Sequence, residues 1–174
     1  MTIQTTTLDK NGSNRILQLK YRNNEAEERE FVDLVYQAMN NCNLEKAKTL
    51  MKTFNEKDDY GTQEAVVNVL NSIETEIYYR ALLEELPRLV DEAPEWAESL
   101  IAGEIETNPD LLAAMTKTLS DDIRHSLILT IKNTGMIEDI SNANEFLVKI
   151  ENEPKKRQLS FLEIRFFQKI GFLS

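Results

Sequence analysis

The chain has few residues of the types that build disulfides, turns and sheets. Its 174 residues include one cysteine, five glycines and four prolines. A single cysteine, Cys42, excludes an intrachain disulfide framework and fits a reducing compartment, where we expect it to be a small buried side chain. Scarce glycine and proline argue against a sheet-rich fold with many turns, whereas the abundant Glu, Leu, Lys and Ala favour helices. The composition therefore predicts a mostly α fold.

The scarcity of histidine and glycine limits the available chemistry. His125 is the only histidine, so paired Glu-x-x-His motifs cannot form a di-iron site. Asp121 and Asp122 precede it at helical spacing, but so few ligands favour an ion pair or a solvated histidine over a metal site. Cys42 lies far from His125 without a supporting motif, and the glycines are too dispersed for a phosphate-binding loop. The sequence predicts a non-enzymatic protein with no metal and no cofactor.

Long apolar runs and basic stripes are also missing. Met1 to Lys10 contains no apolar stretch resembling a signal peptide, and no later segment approaches 18 uninterrupted apolar residues. We therefore expect no membrane association and a cytoplasmic location. The one basic run, Lys155 to Arg157, falls far short of a basic stripe, so we expect no nucleic-acid binding.

Negative charge is concentrated in the middle of the chain. Between Glu56 and Asp122 the sequence has 17 acidic and 4 basic residues, a net charge of −13, whereas the whole chain carries −10. Self-repulsion on this scale destabilises a compact state, and an acidic surface attracts cationic partners. Solvated helix faces are the alternative explanation for such runs. The charge distribution indicates a basic protein partner.

The first 23 residues differ from the rest of the sequence. Leu17, Leu19 and Tyr21 alternate with polar residues, and the run from Asp9 to Gly12 resembles a hairpin turn. This pattern predicts a small N-terminal β-hairpin or an extended arm.

From Asn24 onward, apolar residues recur at helical spacing. Asn24 and Asn43 are placed to cap two helices that form an antiparallel hairpin, with Glu27 completing a capping box at the first. Thr62 is expected to cap a third helix, and Thr75 to open a fourth that Pro87 breaks or kinks. Pro94 and Pro109 are typical first-turn prolines. Further predicted helices begin after Ser120, ending at Gly135, and at Ser141.

Short paired helices joined by short loops are typical of stacked helical hairpins. The sequence predicts one mostly α domain over residues 1–174: a compact, degenerate HEAT-like array of antiparallel helical hairpins. Within it we distinguish the arm or hairpin of residues 1–23, a helical-hairpin core of residues 24–135 and C-terminal helices in residues 136–174. No residue-level repeat has a fixed period.

The C-terminal tail is the most apolar stretch. Leu159 to Leu173 contains four of the seven phenylalanines, and a helix that is apolar nearly all round is usually buried. We expect this tail to close the core, with a hydrophobic partner-binding segment as the alternative.

One helix carries an acidic stripe. After Pro94, the carboxylates of Glu95, Glu98 and Glu106 fall on one side of a helical wheel. Glu104 falls on the opposite, apolar side. Either Gly103 ends the helix early, or Glu104 pairs with a cation such as Arg80 or Arg88.

A family resemblance adds to this interpretation. It is carried by Tyr79-Arg80-Ala81-Leu82-Leu83-Glu84-Glu85-Leu86-Pro87, by Ala93-Pro94-Glu95-Trp96-Ala97-Glu98, and by Asn108-Pro109 with the helices through Ile131. Over about residues 25–135 the chain resembles the all-α immunity proteins of bacterial polymorphic toxin systems, the contact-dependent inhibition type. The resemblance implies a toxin inhibitor without catalytic activity, which binds a cognate toxin in the cytosol.

Charge and resemblance together lead to one hypothesis about function. The chain is predicted to neutralise a cognate, basic protein toxin, with nuclease domains as natural targets because their substrate clefts are positive. The candidate partner-binding residues are Glu84, Glu85, Asp91, Glu92, Glu95, Glu98, Asp121 and Asp122, with Tyr78 and Tyr79 as aromatic anchors. Trp96 is a third aromatic candidate, although we expect it in the core. The alternative is a helical-repeat adaptor or a scaffold that homodimerises through the aromatic tail.

Overall fold

The computed structural model describes residues 9–57 and 61–151. Over these residues the chain is helical and contains no strand, which confirms the mostly α prediction. A 3₁₀ helix at Leu19–Tyr21 follows the first α-helix. The α-helices are α1 (Lys10–Gln18), α2 (Glu25–Met39), α3 (Leu44–Met51), α4 (Thr62–Ser72), α5 (Thr75–Glu92), α6 (Pro94–Thr107), α7 (Pro109–Lys117), α8 (Asp121–Asn133), α9 (Met136–Asp139) and α10 (Ala143–Glu151).

Helix α1 lies where the sequence predicted a hairpin or extended arm, so that prediction is wrong over residues 9–23. The Asp9 side chain accepts a hydrogen bond from the Gly12 backbone N–H at 2.8 Å, which makes Asp9 a helix cap instead of a turn residue. Ile16 and Leu19 are buried, whereas Tyr21 is 57% exposed. Burial therefore follows the three-residue spacing of a helix and not the alternation of a strand. Residues 1–8 lie outside the described part of the chain.

Asparagine caps begin α2 and α3, as predicted. The Asn24 side chain accepts from the backbone N–H groups of Ala26 and Glu27, both at 3.1 Å. Glu27 reaches back to the Asn23 N–H at 2.8 Å, one residue before the expected partner. Asn43 accepts from the Lys46 N–H at 3.0 Å. These bonds satisfy N–H groups that have no partner within their helices.

We expect Asn24→Ala to lower the free energy of unfolding by about 1 kcal/mol, because the variant leaves two N–H groups of α2 without their side-chain acceptor. Chemical denaturation measures this change. Asn24→Asp is the control, since a carboxylate also caps a helix and should retain stability; equal stability of the alanine variant and the parent would contradict the capping role.

The prolines and one glycine set further helix boundaries. Pro94 and Pro109 occupy the first turns of α6 and α7, as predicted. Pro87 does not end α5, which continues to Glu92 with the Pro87 side chain exposed. Helix α4 begins at Thr62 after Gly61, whose φ of +89° lies in the left-handed region that glycine adopts without a Cβ penalty. Thr62 is thus the first helical residue and not the predicted cap.

The first half of the fold stacks alternate helices. Helix α2 packs mainly on α4, and α3 packs mainly on α5, as expected when one helical hairpin lies on the next. Helix α5 also contacts α6, α7 and α8, so it lies at the centre of the fold. Among its fully buried side chains are Leu82, Leu83, Leu86 and Leu89.

The second half departs from this alternation. Helix α10 packs on both α7 and α8, and the short α9, which the sequence did not predict, connects α8 to α10. Helix α8 ends at Asn133, close to the predicted stop at Gly135. Cys42 is partly buried against the core. The expected apolar helix at Leu159–Leu173 lies outside the described residues.

Candidate protein-binding surface

The acidic residues of α5 mostly contact cations of this same chain. The Glu84 carboxylate lies 3.1 Å from Lys48 Nζ and 3.2 Å from an Arg80 guanidinium nitrogen. The Glu85 side chain is only 7% exposed and lies 3.2 Å from Arg88 Nε, with Lys48 at 3.8 Å. These contacts join α5 to α3. Much of the charge of Glu84 and Glu85 is therefore compensated within the fold.

Glu92 is also paired, near the end of α5. Its carboxylate lies 2.8 Å from Lys20 Nζ and 3.1 Å from an Arg88 nitrogen. The hydrogen bond from Lys20 is the main reason that the pKa of Glu92 is below its ordinary value. Arg88 also donates to the Met51 carbonyl oxygen at 2.7 Å. Glu92 thus connects the N-terminal segment to the centre of the fold.

The two predicted aromatic anchors are buried instead of exposed. Tyr78 is 6% exposed and Tyr79 is 2% exposed, and their rings contact each other edge to face. A partner cannot insert either ring into a pocket of its own, because both rings are already packed inside this fold. We therefore exclude Tyr78 and Tyr79 as anchors on an exposed surface.

The tyrosines explain the anomalous position of Glu104 on the apolar side of α6. Tyr78 donates its hydroxyl to Glu104 Oε1 at 3.0 Å, and Tyr79 donates to Oε2. Helix α6 continues past Gly103, so an early helix end does not account for Glu104. The expected cations Arg80 and Arg88 pair with other residues. The sequence identified the conflict but not the two hydroxyl donors.

Several of the predicted acidic residues do remain on the surface without a cation. Asp91 and Glu95 are exposed, and Glu98 is partly exposed. None of the ion pairs in residues 9–57 and 61–151 involves these three carboxylates. Glu95 and Glu98 lie on α6, whereas Asp91, in the last turn of α5, borders a separate groove between α5 and α8.

A groove beside the start of α6 adds two acidic residues that sequence reasoning did not select. Glu56 and Glu64 line it together with Glu95, and its volume is about 490 Å³. The Glu95 backbone N–H donates to Glu56 Oε1 at 3.2 Å, so Glu56 also stabilises the start of α6. Lys57, the one cation lining the groove among the described residues, donates to the Arg22 carbonyl oxygen at 2.7 Å. We call Glu56, Glu64, Glu95 and the neighbouring Glu98 together the acidic surface.

Trp96 forms part of the same groove. Its ring stacks on buried Phe54 with centroids 4.7 Å apart, and the side chain is only partly buried. Trp96 therefore belongs to the edge of the core and also borders the acidic surface. Large amphipathic rings in such positions are common anchors at protein interfaces.

The acidic pair at the start of α8 is separate from the acidic surface. Asp121 lies 2.7 Å from Arg124, while Asp122 is exposed and borders a groove with His125 and Ile150. Carboxylates in a first helical turn are favoured by the helix dipole, which gives both residues a structural role. The described residues contain no group of three or more His, Cys, Asp or Glu side chains arranged for a metal ion.

Comparisons with known proteins do not assign the chain to a family. Searches of protein-family models, curated proteins and solved structures each return no match. Among residues 9–57 and 61–151, no helix combines the length and apolar character that a membrane span requires.

The pairing of Glu84 leads to a pH prediction. Burial raises its pKa, but the hydrogen bonds from Lys48 and Arg80 outweigh this effect and hold the pKa below 4.5. The unfolded chain therefore takes up this proton at a higher pH than the folded chain. The stabilisation is complete above about pH 4.5 and is lost as pH falls through the folded-state pKa.

We expect Lys48→Met to lower the free energy of unfolding at neutral pH by on the order of 1 kcal/mol and to weaken its fall below about pH 4.5. Denaturation curves at several pH values measure both effects. Lys132→Met, which removes a cation of α8 that pairs with Glu151 of α10, is the control. An unchanged pH profile in Lys48→Met would contradict the assigned pairing.

Proposed function

We propose that the chain is a protein-binding module and that its acidic surface binds a basic protein. The observation that carries this proposal is the group of exposed or partly exposed carboxylates on α6 and in the groove beside it, which contact no cation in the described part of the chain. Glu84, Glu85 and Glu92 belong to internal ion pairs and contribute less. The proposed interface is thus a subset of the acidic middle of the sequence, with Trp96 as its aromatic residue.

The position of each carboxylate in its helix shows whether the helix dipole already stabilises it. Glu64 and Glu95 lie in the first turns of α4 and α6, where a carboxylate is favoured. Asp91 lies in the last turn of α5, where the dipole favours a cation. Glu98 lies inside α6, away from either effect. Glu98 therefore lacks a stabilising role of this kind, which supports its use in contacting a partner. Asp91 lacks one too, but it lies outside the acidic surface.

More specifically, we propose that the chain is an immunity protein that neutralises a cognate toxin with a basic, nuclease-type domain. Nuclease clefts are positively charged because they bind phosphates, and an acidic protein can compete for such a cleft. The resemblance of residues 25–135 to all-α immunity proteins supports this role. The proposal includes no catalytic step and no cofactor.

Coexpression with a toxin tests this proposal. The candidate toxin is the product of the gene directly upstream, if that gene encodes a large secreted protein. We expect its C-terminal toxin domain to arrest growth when expressed alone, and the present chain to restore growth and copurify with it. Persistent growth arrest with both proteins soluble would contradict the immunity role.

An adaptor or homodimerising scaffold is the second candidate. It is favoured by an apolar groove of about 320 Å³ between α5 and α8, bordered by the exposed side chains of Val90 and Leu129. Exposed apolar patches often mark protein contacts. Sedimentation of the full chain separates the two candidates: a concentration-dependent dimer, weakened by Leu129→Glu and insensitive to salt, would favour the scaffold.

A further inference from the structure

A fourth groove, separate from those described above, contains the buried tyrosines and Glu104. It is formed where α4 and α6 end and α5 and α7 begin, and its volume is about 480 Å³. Glu104 and the two tyrosines line it, together with polar Asn71, Thr75, Thr107 and Asn108. We call it the Glu104 groove.

The charge of Glu104 is hydrogen-bonded but not neutralised. Both carboxylate oxygens accept phenolic O–H donors, and no ion pair among the described residues involves this side chain. Burial and the adjacent carboxylate raise the pKa of both Tyr78 and Tyr79, so these residues stay neutral donors and supply no positive charge. A carboxylate that is partly removed from water normally has a cationic partner.

The position of Glu104 along α6 further disfavours its negative charge. Glu104 and Glu106 both lie near the C-terminal end of α6, and the last turn of this helix contains no basic residue. The partial negative charge at a helix C-terminus favours cations and disfavours carboxylates. An external cation in the Glu104 groove would therefore meet a favourable potential from the helix end and from the side chain.

The walls of the groove favour one type of cation. Leu70, Ile73 and Leu111 line it, and Leu111 is 39% exposed. In a lining that is otherwise polar, this apolar side suits a methylene chain that carries its charge at the tip. Each Glu104 oxygen accepts one phenolic hydrogen bond and keeps one lone pair. The compact ammonium group of lysine needs only one of these lone pairs, whereas a planar guanidinium fork has to reach both at once beside the two tyrosine hydroxyls.

We propose that the Glu104 groove binds a lysine side chain of a partner protein, with the ammonium group at Glu104 and the methylene chain against Leu111. The protein nature of the ligand rests on the proposed function, but the lysine-binding groove itself can be tested on the isolated chain. The groove would supply a specific contact in addition to the diffuse attraction of the acidic surface.

The test is an NMR titration of the full chain with Nα-acetyl-lysine N-methylamide. We expect saturable shifts centred on Tyr78, Tyr79 and Leu111, and at least about tenfold weaker binding of the neutral Nε-acetylated analogue, which corresponds to about 1.4 kcal/mol. Glu104→Gln should lose binding to a similar degree. Glu106→Gln, which removes an exposed charge two residues away, should bind the probe like the parent.

A second variant covers the case in which Glu104→Gln does not fold. Leu111→Lys places a cation at the partly exposed edge of the groove, where it should occupy the site and block the probe while the fold is retained. Equal binding of the charged and neutral probes, or no saturable shifts in the groove, would overturn the lysine site. Restoration of growth by the chain in the coexpression test would leave the immunity role intact in that case.

Discussion

Replacing Glu95 and Glu98 together with lysine is expected to slow association with the proposed basic partner by about 10- to 1,000-fold at low ionic strength, because two carboxylates of the acidic surface become cations and the surface attracts the partner far less. Both side chains lie on the accessible side of α6, and neither joins an ion pair in the described residues. Lysine at position 95 enters the first turn of α6 and costs about 0.3–1 kcal/mol of stability. The variant should therefore fold, and stopped-flow mixing measures its association rate.

The control changes the net charge by the same amount at another place. Asp33→Lys with Glu145→Lys alters two exposed residues on α2 and α10, outside the acidic middle of the chain. If steering depends on the acidic surface, this control should associate nearly as fast as the parent. Equal slowing of both double variants would show that the association rate depends on net charge alone and not on the acidic surface.

Replacing Leu82 with alanine is expected to lower the free energy of unfolding by about 2–5 kcal/mol. Leu82 is fully buried in α5, the helix that contacts α3, α6, α7 and α8. Truncation removes apolar contacts and leaves a cavity that several helices would have to move to fill. Urea denaturation at fixed pH measures the change.

Leu129→Ala is the matched control, because it makes the same substitution at a side chain that is 43% exposed. We expect it to change stability by about 0.5 kcal/mol or less. Similar losses in the two variants would mean that α5 is not the centre of the folded structure.

Local sequence signals were sufficient to predict most of the helices. The caps at Asn24 and Asn43 and the first-turn prolines at positions 94 and 109 each depend on a few neighbouring residues. The spacing of apolar residues indicated the other predicted helices, since the buried side of each helix repeats every three to four residues. These features follow from chemistry within one or two turns.

The errors arose where one local signal permits two structures. Asp9 is suited both to a turn and to a helix cap, and the burial of Ile16 against other helices decides between them. At Pro87 the sequence predicted a break or a kink; the break is wrong, because the packing of α5 on both sides of this residue outweighs the local cost of proline. Such choices depend on tertiary contacts that residue spacing does not contain.

The candidate surface was predicted in part: Glu95 and Glu98 were selected from the sequence, whereas Glu56 and Glu64 were not. Counting residues located the acidic segment, but it could not distinguish Glu85, which is buried among cations, from Glu95, which is exposed. Ion pairs such as Lys20 with Glu92 join residues far apart in the chain. Tyr78 and Tyr79 were predicted to be surface anchors, although their hydrogen bonds to Glu104 connect two different helices. Such contacts between helices cannot be seen in the sequence.

The most direct test of the account is the association rate of the chain with the proposed partner, the toxin domain used in the coexpression test, at about 0.01 M and about 0.15 M ionic strength, where the screening length falls from about 30 Å to about 8 Å. If the acidic surface attracts the partner, the association rate of the parent falls clearly as salt is added. The rate of the double variant with Glu95→Lys and Glu98→Lys changes much less. Equal rates at both ionic strengths for the parent would contradict electrostatic binding by the acidic surface.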